Sequence, residues 1–372
     1  MTLTTVGAGI GATLGMVPET SYSGVVGSPT WQFFEPNTIT PKKIKTTKQS
    51  SGLAGGRMVD VTARRVVVER SATVDFPIDW CQSGHFTTLL NQISSSYTSG
   101  AAGSQTASGG IWSAGARLTP ATPVYGYTHT FRNSIAGRSA ALQMGIPTTD
   151  GIVRQYDALG SKMTKLAFTC KSGELLVATT SWDCRYLADP LIDTLYPTAT
   201  TGGSTQTPYT QATPSYAAAI PWDFANAQIQ IGSTIAGASA ASPVDGVTGF
   251  DFTIERRMKT GRQYYGNAGL KDEPVTSDEV LLTGTFTSDF VNKTYWADAF
   301  YSDTPIFAII TFGTMAANAP AAQFVLSNLF LNDGSPAATN KDVVNTSFPF
   351  ACTYDLTNEP ASIILQTADA TV

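Results

Sequence analysis

Ala72, Val74, Phe76 and Ile78 alternate with Thr73, Asp75 and Pro77, the period of two that marks a strand with one buried face. Val66, Val67 and Val68 lead into it. The period then changes. Phe86, Leu89, Leu90 and Ile93 fall at i, i+3, i+4 and i+7 after Ser83 and Gly84, which predicts a short amphipathic helix with an N-cap region ahead of it. Trp296, Ala299 and Phe300 repeat that signal after Asn292, and Pro305 closes it. Further strands are expected at 31–39, 124–131 and 140–142, and as a hairpin of 163–170 with 175–182 turning at Ser172 and Gly173. A second set is expected at 306–312 and 324–331, with a closing hairpin of 348–354 and 362–365. Residues 227–231 with Gly232 read as the hairpin that opens this second half.

The segments between these elements have their own composition. Residues 1–30 are Gly-rich and predict an extended N-terminal arm. Residues 94–122 are rich in Ser, Gly, Ala and Thr and read as an insertion, and 196–226 as a low-complexity linker. The chain therefore divides into 31–195 and 227–372, each long enough to bury a core.

These two parts share more than element order. Sliding the sequence by 214 positions aligns Lys42, Lys43, Lys45, Lys48 and Arg57 with Arg256, Arg257, Lys259, Arg262 and Lys271, so every cation of the first segment meets a cation of the second. The register continues through Val61-Thr62 with Val275-Thr276 and Asp75-Phe76 with Asp289-Phe290, giving twelve identities in thirty-five positions. A period this long points to two domains of one ancestry, each built as strands, long hairpin, strand, helix and strands. All-β with minor α is the fold class expected.

Composition narrows the function. Charged residues are only 14% of the 372 and the net charge is −5, which opposes general nucleic-acid binding. Cys81, Cys170, Cys184 and Cys352 form neither a CxxC pair nor a dense framework, so free thiols are expected. His85 and His129 sit in unrelated contexts, each read as a cap or surface residue, and the pairs Asp272-Glu273 and Asp278-Glu279 read as solvated charge. Gly7-Ala8-Gly9-Ile10-Gly11-Ala12 fits a dinucleotide fingerprint, but Gly15 and Pro18 break the helix that motif requires. No cofactor, catalytic group or metal site is assigned. The first residues lack a basic region before an apolar stretch, and no segment reaches membrane-spanning length, so no membrane partner is expected.

The order of packing and turn residues is informative in another way. Gly11-Ala12-Thr13-Leu14-Gly15-Met16-Val17-Pro18-Glu19-Thr20-Ser21-Tyr22, Phe33-Phe34-Glu35, Ser51-Gly52-Leu53 and Ala72-Thr73-Val74-Asp75-Phe76 resemble the tail tube (major tail) proteins of long-tailed bacteriophages, as does 84–90. Phe250-Asp251-Phe252-Thr253-Ile254, Leu282-Thr283-Gly284-Thr285-Phe286 and 363–369 extend the likeness to the second half. The resemblance implies tandem β-sandwich or barrel-like tube domains, each with a flanking helix and a long hairpin. It also implies a virion tail component, assembled in the host cytoplasm, whose rings stack into a conduit for the genome. Tube domains of this family close six to a ring, so a chain with two would close as a homotrimer of pseudo-sixfold symmetry, the alternative being a homohexamer. Its implied partners are further copies of itself, a tape-measure protein, a tail terminator and double-stranded DNA that passes a neutral or acidic lumen without specific binding.

Within that frame the basic segments, Lys42, Lys43, Lys45, Lys48 and Arg57 with Arg256, Arg257, Lys259, Arg262 and Lys271, are expected to make inter-ring contacts. At the offset of 214, Arg64 and Arg65 stand opposite Asp278 and Glu279, so neighbouring copies are expected to pair these opposite charges and alternate. The competing reading is a surface β-sandwich that binds carbohydrate or a receptor through Tyr264, Tyr265 or Trp112.

Overall fold

The structure is a computed structural model that describes residues 11–24, 26–50, 62–94, 125–131, 138–148, 152–189, 209–216, 219–289, 296–313, 319–334 and 344–369, with the backbone of short pieces between 96 and 117. Its first half contains β1 (Thr13–Pro18), β2 (Gln32–Phe34), β3 (Thr40–Gln49), β4 (Arg65–Asp79), α1 (Phe86–Asn91) and β5 (Ser96–Ser99). Four two-residue strands follow, β6 (Ala101–Ala102), β7 (Ala107–Ser108), β8 (Ile111–Trp112) and β9 (Ala116–Arg117). Then come β10 (Tyr125–Thr130), β11 (Ala140–Pro147), β12 (Val153–Lys171) and β13 (Val177–Ala188). The second half contains β14 (Ala227–Gly232), α2 (Ile235–Ala240), β15 (Val247–Lys259), β16 (Val275–Asp289), α3 (Ala297–Tyr301), β17 (Ile306–Gly313), β18 (Ala321–Leu331), β19 (Asn345–Cys352) and β20 (Ala361–Thr367). The chain is all-β with minor α.

Sixteen of the strands belong to one sheet, in which the same pairing order occurs twice. The first series runs β1-β11-β12-β13-β4-β3 and the second β14-β17-β18-β19-β16-β15, every neighbour antiparallel. Register repeats as well. Trp182 faces Val74 and Thr180 faces Phe76, while Phe350 faces Gly284 and Phe348 faces Phe286. The matching bounds and burial of β4 and β16 place their counterparts 210 residues apart, and the pairing then places those on β13 and β19 168 apart. Both β4 and β16 have fifteen residues, with an exposed first half and a second half whose alternate side chains are buried. That alternation is the one read from Ala72, Val74, Phe76 and Ile78, all of them in the core.

The two series meet on one strand. The C-terminal part of β12 pairs β15 from Lys165 with Glu255 to Lys171 with Gly249, seven residue pairs that make the sheet continuous across both halves. The main core cluster spans both halves, and in it Phe324 of β18 meets Phe168 at 4.9 Å and Phe250 at 5.6 Å, both edge to face. The expected hairpin turning at Gly173 is present as β12 and β13, and that glycine holds the left-handed φ of 79° the turn requires.

Elsewhere the structure departs from the sequence reading. Residues 13–18, placed in the arm, form β1, with Leu14 and Met16 fully buried between β11 and β2. The remainder of the arm before residue 11 lies outside the described residues. The described part of the linker is mostly exposed but is anchored at two points: Tyr209 and Trp222 are buried, and the Trp222 backbone exchanges hydrogen bonds with Trp80 and Leu176. β10 pairs β20, so a strand of the first half completes the second. β19 and β20 are not a hairpin, because β18 lies between them, pairing β20 through 321–326 and β19 through 329–331. β14 likewise pairs β17 rather than its own neighbour in sequence.

Candidate assembly interface

Phe76, Trp182, Phe168, Phe252 and Phe286 point into the core, so the alternate residues of the same strands share the opposite face. Its rows run Pro77, Thr179, Ala167, Thr253, Thr283, Ala351 and then Asp79, Val177, Thr169, Asp251, Thr285, Pro349. This face crosses both halves without interruption. Small and hydroxyl side chains dominate it, with Asp75, Asp79, Asp251, Glu255 and Asp289 against Lys165 and Lys171. Burial raises the Asp251 carboxyl above its ordinary range, opposed by hydrogen bonds from Thr285. The face is weakly acidic.

The two long hairpins extend from this sheet as ribbons. Each carries a bulge near its outer end, at Thr46/Thr47 in one and Arg256/Met258 in the other, which twists the ribbon beyond the core. The basic residues singled out in the sequence meet different fates on them. Lys42, Lys45 and Lys48 on β3 and Lys259 on β15 are exposed, whereas Lys43 is half-buried and donates to Tyr186 Oη at 3.1 Å. Arg256 is buried and donates to the Gln92 carbonyl at the end of α1, at 3.0 Å, where burial lowers its pKa to about 10. Arg257 pairs with Asp278 in its own hairpin at 2.7 Å, an exposed pair, and Arg262 lies 5.5 Å over the Tyr264 ring. Arg57 lies outside the described residues. Arg64 is half-buried and Arg65 and Glu279 are exposed. Counted by strand register, Asp278 and Glu279 stand opposite Val68 and Glu69, and Arg65 opposite Val275.

Lys271 shows why the matching cations diverge. The tip of the second hairpin, residues 260–274, folds back as a strap across β12, β13 and β4 of the first half. Arg70 N–H donates to the Gly269 carbonyl at 2.7 Å and its guanidinium to Ala268 at 2.6 Å. Lys271 is buried against Asp183, and Lys162, also buried, pairs with Glu273. Gly269 has φ 77°, and a Cβ there would stand 2.7 Å from the Val68 carbonyl, so the strap needs glycine at its closest approach. Neither Asp183 nor Lys162 was nominated from sequence. Their partners lie 88 and 111 residues away, and no local pattern announces such a pair.

The remaining titratable candidates lie apart from one another. His129 is fully buried on β10, with its pKa lowered to about 3 by burial and by Arg138. His85 sits at the N-cap of α1 with φ 66°, its N–H bonded to Asp369. All four cysteines are free thiols, and burial pushes Cys184 up to about 12. Glu19 after β1 is half-buried and accepts from Gly160 N–H and Ser23 N–H, both at 2.9 Å, and its pKa rises to about 7 because of desolvation. Tyr264 and Tyr265 are exposed at the strap's outer end, and the Trp112 side chain lies outside the described residues. Among the described residues no three metal-ligating side chains cluster, and no helix is long and apolar enough to cross a membrane.

A comparison with curated proteins gave no match. The family model for the phage tail tube protein matches residues 9–352, spanning both strand series, the junction between them and both hairpins. The family match therefore makes the fused double sheet a component of the virion tail: the chain is a member of the phage tail tube protein family.

Proposed function

We propose that this chain is a purely structural subunit whose rings stack into the conduit through which the phage genome is ejected, with three chains per ring. The observation that carries this reading is the β12–β15 junction. It joins two like strand series edge to edge inside one chain, and each series is read as one tube domain of a tandem duplication. Among the described residues β3, the counterpart of β15, pairs only β4, so the edge that β15 gives to β12 is open on β3. A neighbouring chain joining there would close the ring and remove an edge that otherwise invites aggregation.

The face of hydroxyls and carboxylates described above then lines the lumen. DNA phosphates find few cations there, so the duplex slides without being held. Before ejection the same lumen holds the tape-measure protein, and a terminator caps the stack. The exposed Lys42, Lys45, Lys48 and Lys259 on the projecting ribbons are assigned to contacts with the next ring. Electron microscopy and native mass measurement of the purified protein test this, with rings of three chains expected. Six chains per ring would sink the trimer, and a protein that never forms rings or tubes would sink the conduit.

A further inference from the structure

The seat of the strap has a counterpart in the second half. By strand register Phe330 stands for Lys162, Ala351 for Asp183, Val280 for Arg70 and Tyr354 for Tyr186. Where the first half is covered by residues 260–274, the second presents a groove of about 1010 Å³ lined by Phe131, Asp278, Glu279, Val280, Cys352 and Tyr354. Lys162 and Asp183 are buried under the strap, while Phe330 and Ala351 are only half-buried.

The first hairpin supplies a tip of matching length. Fifteen residues, 50–64, separate β3 from β4, as 260–274 separate β15 from β16. The register beside the tip is the same, with Gln49 facing Arg65 and Lys259 facing Val275. Counting back from β4, Val61 stands where Lys271 stands and Ala63 where Glu273 stands. Both members of each ion pair therefore change together. Lys271 and Asp183 become Val61 and Ala351; Glu273 and Lys162 become Ala63 and Phe330. A buried charge facing an apolar residue is costly, whereas an apolar pair in the same place is not. The matched exchange is what two halves of one contact require.

We propose that this groove is the docking site for the first-hairpin tip of a second copy of this chain, with Val61 set against Ala351. The proposal rests on the ring reading, because the second tip already occupies the seat on the first half of its own chain and the seat on the second half is left for another copy. Charge agrees with the assignment. The tip carries Arg57, Asp60 and Arg64, with Lys48 and Arg65 at its base, and the groove is rimmed by Glu279 and by Asp278, which also pairs with Arg257.

The test rebuilds one ion pair at the second junction. A351D or V61K alone is expected to cut the fraction assembled into tubes by about tenfold, and A351D/V61K together to restore most of it. Single variants that assemble like the parent, or a double variant no better than the singles, would overturn the docking. Cross-linking the V61C/A351C variant with a short bis-maleimide provides a second readout in the otherwise unchanged chain. Covalent dimers and trimers above the parent's background are expected, and a product of monomer mass alone would overturn the proposal. A parent protein that forms no rings would instead defeat the ring reading itself.

Discussion

Lys271 and Asp183 form a buried ion pair between the strap of the second half and β13 of the first, 88 residues apart in the chain. With Lys162 and Glu273 it ties the strap to β12 and β13 beside the junction that β12 and β15 make through backbone hydrogen bonds. The two halves are thus tied both within the sheet and across it.

Removing one partner of this pair strands the other. Asp183→Ala should cost about 3–5 kcal/mol, because the Lys271 ammonium stays buried without its carboxylate. Asp183→Ala with Lys271→Val should recover most of that loss. Guanidinium unfolding of the two variants and the parent gives the comparison; equal losses would show that the pair is not coupled.

Stability should depend on pH through Glu19. Its folded pKa, about 7, lies above the ordinary 4.5 because burial disfavours the carboxylate. The protonated form is therefore the one the fold prefers. The favourable contribution is full below about 4.5 and is lost as pH rises through about 7, a change on the order of 3 kcal/mol. Glu19→Gln should flatten this part of the profile, measured as the unfolding midpoint from pH 4 to pH 8.5. A variant whose profile parallels the parent's would exclude Glu19 as the source.

Gly284 on β16 lies where β4 carries Val74, and it leaves room for Phe350. A Cβ there would stand 2.2 Å from the Asp251 carbonyl and 2.5 Å from the Phe350 ring. Gly284→Ala should destabilise by about 1–3 kcal/mol through overpacking. Gly284→Ala combined with Phe350→Leu should recover part of that in thermal unfolding.

Thr169 and Thr285 flank Asp251 on the face assigned to the lumen. Lysine at both positions should leave tube assembly intact and slow DNA release from virions, with the delay shrinking as salt increases. Release at the parent's rate at low salt would place this face elsewhere.

Much of the fold was legible locally. The alternation from Ala72 to Ile78 specified β4 and its buried face, and the spacing of Phe86, Leu89, Leu90 and Ile93 specified α1. The register of the repeat was harder to read. Identities favoured an offset of 214, but the bounds and burial of β4 and β16 and the equal length of the two hairpin tips place counterparts at 210. A shift of four keeps every side chain on its own face, so alternation cannot tell the two apart.

The sequence by itself determined the alternation that buries one face of β4, the spacing that makes α1 and the turn at Gly173, because those depend on period and turn chemistry along the chain. Only the tertiary structure decided that β10 joins β20, that β18 separates β19 from β20, and that β12 fuses the halves. It alone separated Lys271 and Arg256, buried against the first half, from the exposed Lys42, Lys45 and Lys48. The reason is physical. Alternation records whether a side chain meets solvent or core, while a strand's neighbours and a cation's partner are set by contacts between residues distant in sequence.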